Sequence, residues 1–105
     1  MEEEYFNELR TKFTNKESFI EIGKMMSSEA ITYKGKVFAF FSRKKKMVFK
    51  LGKDFNPNEI DTKIQVFNPF KKRGPLNGWF EIPFSKKELW KPFTEKALNI
   101  IKQDL

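Results

Sequence analysis

The residues of this chain best suited to recognising another molecule are cations interleaved with aromatic rings. Arg43, Lys44, Lys45 and Lys46 form one run, and Lys71, Lys72 and Arg73 stand beside Phe70 and close to Trp79. Cations that track phosphates, with rings on which bases stack, are what single-stranded nucleic-acid surfaces use. The same residues also suit a plainer role, with Phe70 and Trp79 in the core and the lysines solvated at turns that keep a sheet edge soluble. A basic patch alone is an electrostatic footprint and carries no sequence information.

Catalytic chemistry is narrower still. The chain has no His and no Cys, which removes the commonest general base and the two commonest zinc ligands. Ser/His/Asp and Cys/His nucleophile systems are excluded with them. Gly74 and Gly78 have the spacing of the outer glycines of a phosphate-binding loop, but Trp79 and Phe80 follow where that loop needs Lys and Ser or Thr. Glu17 and Glu21 would share a face if both were helical, and two acids on one face are an ordinary solvated surface. Glu81 is the one acid in the loop-and-strand region where a pocket is expected. The expectation is a non-enzymatic protein with no catalytic residues, cofactor or metal.

The formal charge of +7 invites a polyanion partner. Two observations temper it. All but three of the 21 basic residues are Lys, in a chain also rich in Ile, Asn and Phe, a bias that an AT-rich coding sequence produces unaided. The charge is also uneven: residues 1–33 hold four cations against seven carboxylates, whereas residues 34–105 hold 17 against seven. The basic character belongs to the second part.

Periodicity shows the secondary structure that carries these residues. At 105 residues, 39% hydrophobic with thirteen Phe, the chain is expected to form one domain spanning 1–105 around a single core. No run approaches the roughly 20 apolar residues that cross a bilayer. The acidic start, Met1-Glu2-Glu3-Glu4, lacks the form of a secretory signal, so the expectation is a cytoplasmic protein without a membrane. Residues 2–13 read as a helix with Tyr5, Phe6, Leu9 and Phe13 as its buried stripe and three Glu at its positive end. Thr14-Asn15-Lys16-Glu17 has the form of a capping box, where the helix would break or restart. Phe19-Ile20-Glu21-Ile22 fits either a short strand or a second helical segment, and residues 23–28 read as a connector with Met25 and Met26 as core filling.

Residues 30–52 read as three antiparallel strands joined by two tight turns. Gly35 supplies the positive φ of the first turn, and the second carries the four consecutive cations. Val37, Ala39 and Phe41 alternate with Phe38 and Phe40, so the middle strand is apolar on both faces and should be central. In the third strand Met47, Phe49 and Leu51 face one way, Val48 and Lys50 the other. Asn56-Pro57-Asn58-Glu59 is a helix start, with Ile60 and Ile64 on the buried side. Val66-Phe67 reads as a brief strand and residues 68–78 as a loop. Trp79 to Pro83 reads as an edge strand, because Pro83 cannot donate to a ladder. Ser85 with Glu88 forms another capping box, and Pro92 should kink or restart a last helix whose stripe is Phe93, Ala97, Ile100 and Ile101.

Several of these stretches, in order, resemble the TfoX N-terminal domain family. They are Gly23-Lys24-Met25-Met26, Tyr33-Lys34-Gly35-Lys36-Val37-Phe38-Ala39, Phe49-Lys50-Leu51, Arg73-Gly74-Pro75-Leu76-Asn77-Gly78-Trp79 and Glu95-Lys96-Ala97-Leu98. In that family a Lys-Met-Phe-Gly-like stretch precedes a hairpin containing Gly-Lys-x-Phe-Ala, and a closing helix carries Glu-x-Ala. The chain departs from the pattern at Met26-Ser27, where Phe-Gly is usual, and at Leu76, where Met is common. The resemblance implies an α+β domain of order α-β-β-β-α-β-α with an antiparallel sheet built on the three-stranded meander, and it favours a strand near Phe19. It is similar to a domain of competence regulators and of small stand-alone proteins, and it brings no catalytic residues to carry over. The reading that follows is a regulatory interaction module whose partner is a protein, contacted through a sheet edge or through the segment from Phe70 to Trp79. The alternative is a nucleic-acid-binding module using Arg43, Lys44, Lys45, Lys46, Lys71, Lys72 and Arg73. A third is a small-molecule pocket between the sheet and the last helix.

Overall fold

A computed structural model describes residues 1–25, 28–56, 63–68 and 77–104. Helix α1 (Glu2–Lys16) buries Phe6, Leu9 and Phe13, the expected stripe. It does not break at Thr14. That hydroxyl donates back to the Thr11 carbonyl at 2.9 Å, a bond made inside a continuing helix rather than at a cap, and the chain turns extended only at Glu17.

Six strands follow: β1 (Ile20–Met25), β2 (Ser28–Tyr33), β3 (Lys36–Phe41), β4 (Met47–Lys50), β5 (Gln65–Val66) and β6 (Trp79–Ile82). A 3-10 helix (Phe84–Leu89) leads into α2 (Trp90–Gln103). The strands form one sheet of order β1-β2-β3-β4-β6-β5, with every neighbouring pair antiparallel. The class is α+β, and the meander of residues 30–52 is its centre. Two short strands already favoured near Phe19 and at Val66-Phe67 stand beside the order α-β-β-β-α-β-α. One is β1, which takes in Gly23, Lys24 and Met25 from the supposed connector. The other is β5, one residue earlier than Val66-Phe67. The helix expected from Asn56 lies almost wholly outside the described residues.

Both helices pack on one face of the sheet. Phe6, Leu9 and Phe13 of α1 and Trp90, Phe93, Ala97, Leu98 and Ile101 of α2 share a buried cluster with Ile20, Ile31, Phe38, Met47, Phe49, Leu51, Phe80 and Ile82. A smaller cluster of Ala30, Phe40 and Val48, with Met25, Val37, Phe67 and Trp79 against it, occupies the opposite face.

Strict alternation fails in β3, for a local reason. Ile31 pairs with Ala39 and Thr32 with Val37, so Phe38 is an extra residue in the ladder, a β-bulge. The bulge moves Phe38 to the helix-bearing face beside Ala39, and leaves Val37 with Phe40 on the other. Strand β4 has no such irregularity and sorts as expected.

The edge expected at Trp79 to Pro83 is an interior position. β6 lies between β4 and β5, and Pro83 falls just beyond Ile82, where the ladder asks no donor of it. The Ser85 capping box does not form either. Neither the 3-10 helix nor α2 has a side-chain cap, and Lys86 departs from helical geometry. The chain passes from 3-10 to α-helix at Trp90, and Pro92 sits in the first turn of α2, where its missing N–H costs nothing. Trp90 anchors that start. Fully buried, it donates from Nε1 to the Ile82 carbonyl at 3.1 Å and meets the rings of Tyr5, Phe41 and Phe84.

Candidate interaction surfaces

The first of these surfaces is the β3–β4 turn. Lys45 N–H donates to the Ser42 carbonyl at 2.9 Å, and Ser42 N–H to the Lys46 carbonyl at 2.8 Å. Lys45 itself has φ 61°. This is a three-residue hairpin loop whose last loop residue is left-handed, a position that usually selects Gly or Asn. Arg43, Lys44 and Lys45 are exposed. Lys46 is not free in the same sense, because its Nζ lies 3.2 Å from a mostly buried Glu81 carboxylate on β6.

Trp79 sits elsewhere. Lys50 pairs with Trp79 and Met47 with Ile82, so the basic turn and Trp79 mark opposite ends of the β4–β6 ladder. Trp79 is half-buried, its ring 5.6 Å from the buried Phe40 ring, and Phe67 meets the same ring at 5.2 Å. Trp79 thus takes the plainer role, covering the smaller cluster. Phe70, Lys71, Lys72 and Arg73 lie outside the described residues. Among the described ones, therefore, the fold does not bring the basic run of residues 43–46 and Trp79 onto one groove.

The second surface was not singled out in the sequence. Among the described residues β1 is the outer strand of the sheet, six residues long, and its register with β2 runs unbroken from Ile20 to Met25. Lys34 N–H donates to the Phe19 carbonyl at 3.0 Å at the mouth of this pair. By the alternation of an antiparallel ladder, Glu21, Gly23 and Met25 turn their backbone groups towards β2, while Ile22 and Lys24 aim theirs outward. The backbone of Ile20 also faces outward, but its N–H is taken by the Glu17 carbonyl at 3.3 Å. Ile22 is 66% exposed and Phe19 54%. Gly23 holds β1 close to β2, since a Cβ there would stand 2.5 Å from Thr32 Cγ2. The Thr32 hydroxyl is in turn committed to the Glu21 carbonyl at 3.2 Å. Alternation of Phe19, Ile20, Glu21 and Ile22 carries no sign of which apolar residue ends up outside, which is why sequence reasoning missed this edge.

Behind the edge, α1 is tied down by ion pairs. Arg10 of α1 bridges to Glu29 of β2, and Lys102 of α2 reaches Glu17 at 2.6 Å. Among the described residues the sheet and α2 pack side chain on side chain, Phe49 meeting Phe93 at 6.0 Å between centroids. The exposed side of α1 carries a shallow, open depression lined by Asn7, Glu8, Thr11, Lys12 and Asn15. Among the described residues no three Asp or Glu side chains come together in a way that could hold a metal ion, and no helix is long and apolar enough to cross a membrane.

Comparison with protein-family models, with curated proteins and with solved structures finds no match for this chain.

Proposed function

We propose that this chain is a non-enzymatic, regulatory interaction module that binds a protein strand along the open edge of β1. One observation carries the reading: an outer strand of six residues, without Pro or bulge, presents outward backbone groups at Ile22 and Lys24 beside an Ile side chain that is 66% exposed. Sheet edges of this kind are normally blunted, and where they are left open an added strand gains main-chain hydrogen bonds and side-chain contacts together. The regulatory character rests on the resemblance to the TfoX N-terminal domain family. The test compares tagged wild-type and Ile22→Lys chains as baits in native lysate. The reading expects proteins recovered by the wild type to be lost with Ile22→Lys, and an unchanged set of captured proteins would refute it.

The exposed Arg43, Lys44 and Lys45 on one turn support a second reading, in which the chain binds a nucleic acid through phosphate contacts. That reading expects oligonucleotide binding that falls steeply with salt and weakens in a Lys44→Ala/Lys45→Ala double variant. Absence of binding at low salt removes it.

A further inference from the structure

We propose that the strand received by the β1 edge is β1 of a second copy, so that two sheets join about a two-fold axis at Ile22. The inference rests on the edge-binding reading above and names its partner. Three features of the edge make it complementary to itself. The first is hydrogen-bonding parity. Ile22 offers both an outward N–H and an outward carbonyl, so two antiparallel copies can exchange both bonds at the axis. With Ile22 facing Ile22, Lys24 of each copy falls opposite Ile20 of the other. Ile20 has an outward carbonyl to accept from Lys24 N–H, while its own N–H is already taken by the Glu17 carbonyl.

The second feature is side-chain placement. Ile22 shares the helix-bearing face with Ile20, whose side chain is buried under α1. A two-fold axis perpendicular to the sheet keeps both copies of that face on the same side. The two exposed Ile22 side chains then meet at the axis, with a copy of α1 on either flank. The register also sets Glu21 opposite Gly23, so no like charges face each other directly.

The third feature is charge. A chain of +7 carries a net repulsion between copies, but this edge carries charges of both signs. Glu21 and Lys24 lie on it, and the Arg10–Glu29 pair stands behind it. The basic turn of residues 43–46 leads out of β3, two strands away from the edge.

The absence of Cys makes a clean experiment. Sedimentation equilibrium of the wild type should show twice the chain mass, with a dimer fraction that rises with salt as the repulsion between the two copies is screened. Ile22→Lys places two cations on the axis and should weaken association at least about tenfold. Its thermal melt, read under conditions where both proteins are monomeric, should be unchanged because the side chain is exposed. Under mild oxidation Ile22→Cys should form a disulfide dimer, since facing residues of such a pair stand about 5.5 Å apart at Cα, and Lys36→Cys should not. A wild type that stays monomeric at high concentration and in salt overturns the self-pairing, and the edge-binding reading is then decided separately by the bait comparison. A dimer that survives Ile22→Lys, with no cross-link formed by the Ile22→Cys variant, also overturns it, because the copies would then be joined by another face.

Discussion

Lys45→Gly should stabilise this protein although it removes a charge and makes no new contact. Lys45 is exposed and holds φ 61° at the end of the β3–β4 turn, a conformation that costs an L-residue about 1–2 kcal/mol. Glycine relieves that cost and brings about 0.5–1 kcal/mol of its own through the freer unfolded chain. The net expectation is a gain of about 0.5–1 kcal/mol, or a rise in Tm of about 2–6 °C for a domain of this size. Lys44→Gly is the control. It removes the same charge from the same exposed turn at a residue without positive φ, so it should destabilise by about 0.5–1 kcal/mol. Urea unfolding followed by circular dichroism, with thermal melts alongside, measures both. Equal effects of the two substitutions, or a loss of stability in Lys45→Gly, would refute the reasoning, because only backbone handedness separates the positions.

Other expectations follow from particular contacts. Trp90→Phe removes the donor to the Ile82 carbonyl and part of a fully buried ring, and should cost about 2–4 kcal/mol in urea unfolding. Gly23→Ala should cost about 1–3 kcal/mol, because the new methyl meets Thr32 Cγ2 and the Thr32 rotamer is held by its bond to the Glu21 carbonyl; a melt indistinguishable from wild type would show that β1 is not held as closely to β2 as described. A double-mutant cycle of Glu17→Gln and Lys102→Met should give a coupling of about 0.5–1 kcal/mol that shrinks with salt, as the pair joins the end of α1 to the last turn of α2. Zero coupling at low salt would mean the pair does not form in solution.

Elements that depend on local pattern were legible in the amino-acid sequence. The α1 stripe follows from 3.6-residue spacing, since Phe6, Leu9 and Phe13 fall on one face only on a helix. The hairpin at Lys34-Gly35 follows from backbone handedness, and both residues do adopt positive φ. The meander is apolar on both faces of its middle strand, which required it to be interior. What the sequence could not decide was anything set by relations between elements. The β3 bulge lies in the pairing of two strands, and it moved Phe38 to the other face although every residue type fitted the simple alternation. Whether Trp79 to Ile82 is an edge depended on β5, which pairs outside it from a separate part of the chain. The separation of the basic turn from Trp79 follows from strand length along β4 and β6, a distance that neither motif encodes. Most of all, Ile20 and Ile22 share a face, and only the placement of α1 decides that the first is buried and the second is left exposed at an open edge. Hydrophobicity is a property of the residue, but burial is a property of its neighbours.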